Sequence, residues 1–235
     1  MPKSFFSTLC VMAFSLWLVS VAQDVCIYGF QCADTHKIIG LLDVEAEKSF
    51  YTWFSVCILF LTAFLAFRRA DSIGFGHLHY WHWVFVSVIF VYLSADEALT
   101  AHEKLAKLGA TIIKPEGFFR YDWVVPAMVL VIIVVVCLIS MVRALPRREQ
   151  FWTYASGAFY IGGAAGMEMI SGKISDTWGE HTIAYQTVNS LEEGMEVIGV
   201  FLFMHVLMSL ERLKSGAERK KVVHSETVAG AIAHS

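Results

Sequence analysis

The sequence predicts an all-α protein, a polytopic transmembrane helical bundle of five or six spans, and three observations predict it. The chain is 57% hydrophobic and only 17% charged, with a mean hydropathy of +0.58, whereas a soluble domain carries about 25% charged residues. Apolar stretches recur at 5–22, 50–67, 80–95, 123–142, 151–170 and 191–210, and crossing a bilayer core takes roughly 20 helical residues. Basic residues follow alternate stretches: Arg68 and Arg69, then Arg143, Arg147 and Arg148, then Arg212, Lys214, Arg219, Lys220 and Lys221. Spans and short connections nearly use up the 235 residues, so residues 23–214 form one helical membrane domain whose partner is the lipid bilayer.

The first stretch has two readings. Residues 1–22 are a signal peptide, with Ser20-Val21-Ala22 as the small residues before the cut, or they are the first transmembrane helix. Cleavage leaves five spans. Cys26 and Cys32 follow in an outer segment, where an oxidising compartment permits a disulfide. Cys10, Cys57 and Cys137 lie within apolar spans and read as packing residues. Tyr80, Trp81 and Trp83 at one end of the third stretch, and Tyr121 and Trp123 at the start of the fourth, fit interfacial aromatic belts. The fifth stretch carries Gly157, Gly162, Gly163, Ala164, Ala165 and Gly166, small residues that let helix backbones approach in lipid. Residues 215–235 mix charge with Ala, Gly and Ser without apolar periodicity, which reads as a disordered cytoplasmic tail. Its basic run, 219–221, anchors against lipid headgroups and does not argue for nucleic acid.

The positive-inside rule makes the arginine-bearing ends and the carboxyl terminus cytoplasmic. The segments 23–49, 96–120 and 171–186 then lie outside. The chemistry-bearing residues gather near these outer ends: Asp96, Glu97, His102 and Glu103, then Glu168, then Glu192, Glu193 and Glu196. Charge near the bilayer centre is costly, so such groups face a bundle interior and mark an ion, proton or metal site. Extending the third helix past Asp96 would place Glu103 about 20° from it around the axis.

Repulsion among these carboxylates calls for a neutraliser, and oxygen ligands with one imidazole suit a divalent metal ion: iron, manganese or zinc. The expected ligands are Asp96, Glu97, His102, Glu103, Glu168, Glu192 and Glu196, with Glu193 as a general base if the protein is a metal-dependent oxidase or hydrolase acting on a small-molecule or lipid substrate. The same carboxylates would serve a proton- or cation-coupled transporter, and a structural subunit of a membrane complex is a third reading. Local structure offers plainer roles as well. Ser190-Leu191-Glu192-Glu193 has the form of a capping box that starts the last span. His82 and His205 are a further, separate pair to consider as axial haem ligands. No Gly-x-Ser-x-Gly elbow, His-Glu-x-x-His helix, phosphate loop or Cys-x-x-Cys occurs.

Leu93-Ser94-x-Asp96-Glu97-x4-His102-Glu103 and Glu192-Glu193-x-x-Glu196-x-x-Gly199 resemble segments of a family of uncharacterised bacterial multi-pass integral membrane proteins. The resemblance covers about the last two thirds of the chain. It implies a membrane grouping and carries no activity.

Overall fold

The computed structural model describes residues 1–32, 39–102, 114 and 116–233, the last of these (217–233) as backbone alone. Helix α1 runs Lys3–Asp24 and widens into a π turn, Val25–Gly29. The Cys26–Cys32 disulfide then closes the turn, with Cα atoms 5.5 Å apart. Helix α2, Phe50–Ile73, starts where the Ser49 side chain accepts the Thr52 N–H at 3.1 Å, a cap that satisfies one of the free donors of the first turn. It stops at Gly74, whose φ of 85° is open to glycine at no cost. A short turn leads into α3, Tyr80–Leu99, antiparallel to α2. Helix α4 is Val124–Arg143. Helix α5, Arg147–Ile161, continues through a π segment, Gly162–Met167, into α6, Glu168–Trp178. Helix α7 begins at Ile183 and runs to Ala233.

Five of these helices are long and apolar enough to cross a membrane: α1 with its π turn, α2, α3, α4 and the part of α7 from Ile183 to Gly216. The segment from Arg147 to Trp178 is helical throughout but is less apolar and is not among the five. It is nonetheless packed along α7.

The core lies where α2, α3 and α7 meet. On α2 the buried residues Tyr51, Phe54, Ile58, Thr62, Ala66 and Ala70 recur every three or four positions, the spacing of one helix face. Against them stand Trp83 and Val86 of α3 and Val200, Phe203, Met204 and Leu207 of α7. Small hydroxyls stitch the helices: Ser87 donates to the Ala63 carbonyl at 2.9 Å, Ser94 to Val56 at 3.0 Å and Ser156 to Gly199 at 2.8 Å. In lipid such bonds contribute about 0.6–2 kcal/mol each. Close backbone approach adds to this. A Cβ on Gly199 would sit 2.8 Å from the Tyr160 nitrogen and 2.9 Å from the Ser156 carbonyl, so only glycine fits the α5–α7 crossing.

Helix α1 packs in the bundle. Phe6 meets Phe201 edge-on at 5.7 Å, and the Trp17 indole N–H donates to the Ser190 carbonyl at 2.6 Å.

The helix limits differ from the sequence reading at three places. Helix α3 ends at Leu99, with Thr100 left-handed at φ 45°, so the projection that set Glu103 beside Asp96 on a continuing helix does not apply. Helix α7 starts at Ile183, which puts Ser190 well inside it and removes the capping-box role. Its backbone stays helical across 215–233, the segment read as a tail without order; alanine, glutamate and lysine there have good helix propensity and extend a helix already nucleated.

Candidate functional site

The carboxylates meet because of how the last two helical segments fold back on each other. Only residues 179–182 join α6 to α7, so Glu168 and Glu192, at similar distances from that turn, face each other at one level. Glu168 is the nearest charged neighbour of Glu192, ahead of Glu196 and Glu193. Glu196 lies one turn further along α7, and Glu97 and Asp96 approach it from the end of α3. The charged neighbours of Glu193 are Glu196, Glu97, Glu45 and Glu168. Among the described residues, no lysine or arginine stands among the charged neighbours of Glu192, Glu193 or Glu196.

The glycines of the π segment make this approach possible. A Cβ at Gly163 would lie 2.8 Å from the Glu192 carbonyl and 3.0 Å from Glu196 Cγ, and one at Gly162 would meet Met195 at 3.0 Å. Gly157 and Gly166 have nothing within 4 Å, so the small-residue stretch works through its middle. A π turn places one extra residue in the helical ladder, a feature found often beside functional sites.

Asp96 is tied to the chain that follows it. The left-handed turn at Thr100 brings His102 back, so that its N–H donates to Asp96 Oδ1 at 2.6 Å and its Nδ1 pairs with Oδ2 at 3.1 Å. The His102 ring also packs on Trp123 at 4.9 Å. Imidazole and carboxylate thus hold each other. Glu103 lies outside the described residues.

Three acids join this end of the bundle that sequence reasoning did not select: Asp24, Asp43 and Glu45. Asn189 donates to Glu45 Oε1 at 2.7 Å, and Ser190 donates to Asp24 Oδ2 at 3.4 Å. Loss of water pushes Glu45 up to about 7, and the Asp43 charge adds to this, against hydrogen bonds from Tyr185 and Asn189 that favour the carboxylate. Loss of water also raises Asp43. For Asp24 the sequence signal was its place among the polar residues just after the first span.

Hydrogen bonds to α7 fix the backbone around the acids. Tyr51 donates to the Glu193 carbonyl at 2.8 Å, and the Tyr121 and Tyr185 hydroxyls meet at 3.0 Å. Toward the far end of α6 the Arg120 guanidinium pairs with Asp176, while the Gly117 N–H binds the same carboxylate.

Among the described residues no three His, Cys, Asp or Glu side chains converge as a ready metal cage. The expected ligands Asp96, Glu97, His102, Glu168, Glu192 and Glu196 come together as neighbours across three helices, with Glu193 beside them. The two histidines weighed as haem ligands have different surroundings. His82 contacts Ser140 at 3.2 Å, whereas His205 lies 6.5 Å from Phe6 and 6.3 Å from Trp152, ring centre to ring centre.

Residues 5–210 match the model of a family described as a domain of unknown function, DUF8692. No curated protein matches the chain, and neither does any solved structure.

Proposed function

We propose that this chain, which belongs to the DUF8692 family, is a cation-binding membrane protein whose interhelical carboxylates take up a divalent metal ion. The observation that carries the reading is the gathering of Glu168, Glu192, Glu193, Glu196 and Glu97 as mutual charged neighbours with no lysine or arginine among them in the described residues. Carboxylates gathered in this way repel unless protons or a cation neutralise them, and in a medium of low dielectric the repulsion is severe. Side-chain rotation would turn this acidic cluster into an oxygen-ligand site for iron, manganese or zinc, with Glu168, Glu192 and Glu196 as first ligands and Asp96, Glu97 and His102 around them. If the bound metal activates water or oxygen against a lipid-like substrate, Glu193 is the spare carboxylate nearest to accept a proton.

Orientation is part of the proposal. Lys3, Arg68, Arg69, Arg143, Arg147, Arg148, Arg212 and Lys214 all fall at the end of the helices away from these acids, which supports a cytoplasmic basic end and an outward-facing site in a bacterial inner membrane.

A second reading, a proton- or cation-coupled carrier, is favoured by one feature, the π segment against Glu192 and Glu196. Migration of a π turn along a helix would shift the register of Glu168 and so alter the cluster.

Elemental analysis of the detergent-purified chain, before and after reconstitution with iron, manganese and zinc, separates the two. Near-stoichiometric metal, lost in both Glu168→Gln and Glu196→Gln, is the expected result. A wild-type protein that takes up no metal under any of these conditions rules out the metal site and leaves the carrier.

A further inference from the structure

The end of the bundle away from the carboxylates has its own candidate site. A cleft of about 370 Å³ opens between the α2–α3 turn and the end of α4, lined by Arg69, Ile73, His79, Trp83, Met141 and Leu145, with His77 at its edge. Arg69 Nε and His79 Nδ1 are shut off from water there without a hydrogen-bond partner among the described residues. Buried polar atoms in native proteins are nearly always satisfied, so such a pair points to a missing ligand. Among the described residues no carboxylate lines the cleft. His77 Nδ1 accepts the His79 N–H at 3.1 Å, which leaves Nε2 of a neutral His77 ring as a donor. Helix α3 begins at Tyr80, so the positive end of its dipole is directed at the same place. Burial holds His79 below the usual imidazole value, and the neighbouring His82 and His77 rings add to the effect; Arg69 is therefore the fixed charge. The rest of the wall, Ile73, Trp83, Met141 and Leu145, is apolar.

We propose that this cleft binds a phosphoryl group, with the Arg69 guanidinium as its cation and His77 and His79 as hydrogen-bond partners, and that the apolar wall receives hydrocarbon attached to it. An arginine fork with neighbouring donors matches the geometry of phosphate oxygens, and phosphoryl groups are the anions that lipid headgroups present at a membrane surface. The site is independent of the carboxylates.

The test is thermal unfolding of the full chain in detergent, titrated with dioctanoyl phosphatidylglycerol and, separately, with inorganic phosphate. Saturable stabilisation by the lipid is expected, with affinity reduced about tenfold or more by Arg69→Gln. Arg68→Gln serves as the control, because Arg68 is exposed and paired with Glu211 at 3.2 Å. His79→Phe weakens binding too, which keeps the test decisive if Arg69→Gln does not fold. Saturable, Arg69-dependent stabilisation by phosphate alone supports the site and identifies free phosphate as its source. No saturable response to either probe, or equal affinities in wild type, Arg69→Gln and His79→Phe, overturns the proposal.

Discussion

Helices α4 and α7 are both membrane-spanning, and they differ in nearly everything else. The apolar core of α4 is the most hydrophobic in the chain, yet only 17% of its residues are buried, against 50% for the span of α7. Val129, Ile132, Ile133, Val135 and Val136 of α4 all face outward, and the helix is held near its ends by Val124, Pro126, Met141 and Val142. Helix α7 is interrupted by Asn189, Ser190, Glu192, Glu193, Glu196 and Gly199 and contacts α1, α2, α5 and α6. Hydropathy therefore reports contact with lipid, and its loss reports the interior. Lipid is as apolar as leucine, so burying leucine against leucine gains little in a membrane, and close backbone approach and hydrogen bonds hold the centre instead.

The largest effect that follows from this comparison belongs to Gly199. In Gly199→Ala the new methyl would meet backbone atoms of Tyr160 and Ser156 at 2.8–2.9 Å, and neither can move without shifting α5. Overpacking of this kind costs about 1–3 kcal/mol, so the melting temperature in detergent should fall clearly. Gly157→Ala, on the same pair of helices but with nothing within 4 Å, should be neutral or slightly stabilising through helix propensity. Equal losses in both variants would mean that the α5–α7 crossing is not where stability resides.

A smaller effect tests the loop that docks on α7. Glu45 sits at about 7 in the folded protein, above the ordinary glutamate value near 4.3, so the folded state holds its proton more tightly than the unfolded chain does. Stability from this group is complete below the unfolded value and is lost as pH rises through 7. Comparison of wild type with Glu45→Gln between pH 5 and 8 isolates it. The variant should gain stability relative to wild type as pH rises, whereas a constant difference would mean that Glu45 is not raised.

The sequence showed most of the spans because a run of 20 apolar residues has few alternatives to a membrane helix. It singled out Glu168 and Glu196 for the related reason that an acid within such a run, without a basic residue near it in its own helix, needs a partner. It did not show where α7 begins. Residues 183–190 contain Gln186, Thr187, Asn189 and Ser190, and a polar segment before an apolar run reads as a loop, although here Gln186, Asn189 and Ser190 are buried against other helices. The Ser-x-x-Glu pattern at 190–193 misled for a physical reason: in a cap the serine oxygen accepts an N–H of its own helix, while Ser190 turns its hydroxyl to Asp24. Glu45 left no trace, because a carboxylate in an irregular loop has no periodicity. The π segment was legible only as small residues; its extra residue per turn arises from packing against α7.

The smallest effect belongs to α4 and is the sharpest test of the comparison. Val136 is 66% exposed, and on a face that meets only acyl chains a larger apolar side chain exchanges one hydrocarbon contact for another. Val136→Leu should leave the melting temperature unchanged, within the roughly 0.5 kcal/mol expected of a substitution that touches nothing, and Val136→Trp should do the same despite its size. The tryptophan variant is the informative one. If it lowers stability, or reduces the mass of the detergent-solubilised particle to that of a smaller assembly, α4 is covered by another subunit. The most hydrophobic helix would then be an interface, and its lack of polar groups would reflect a partner's surface as well as lipid.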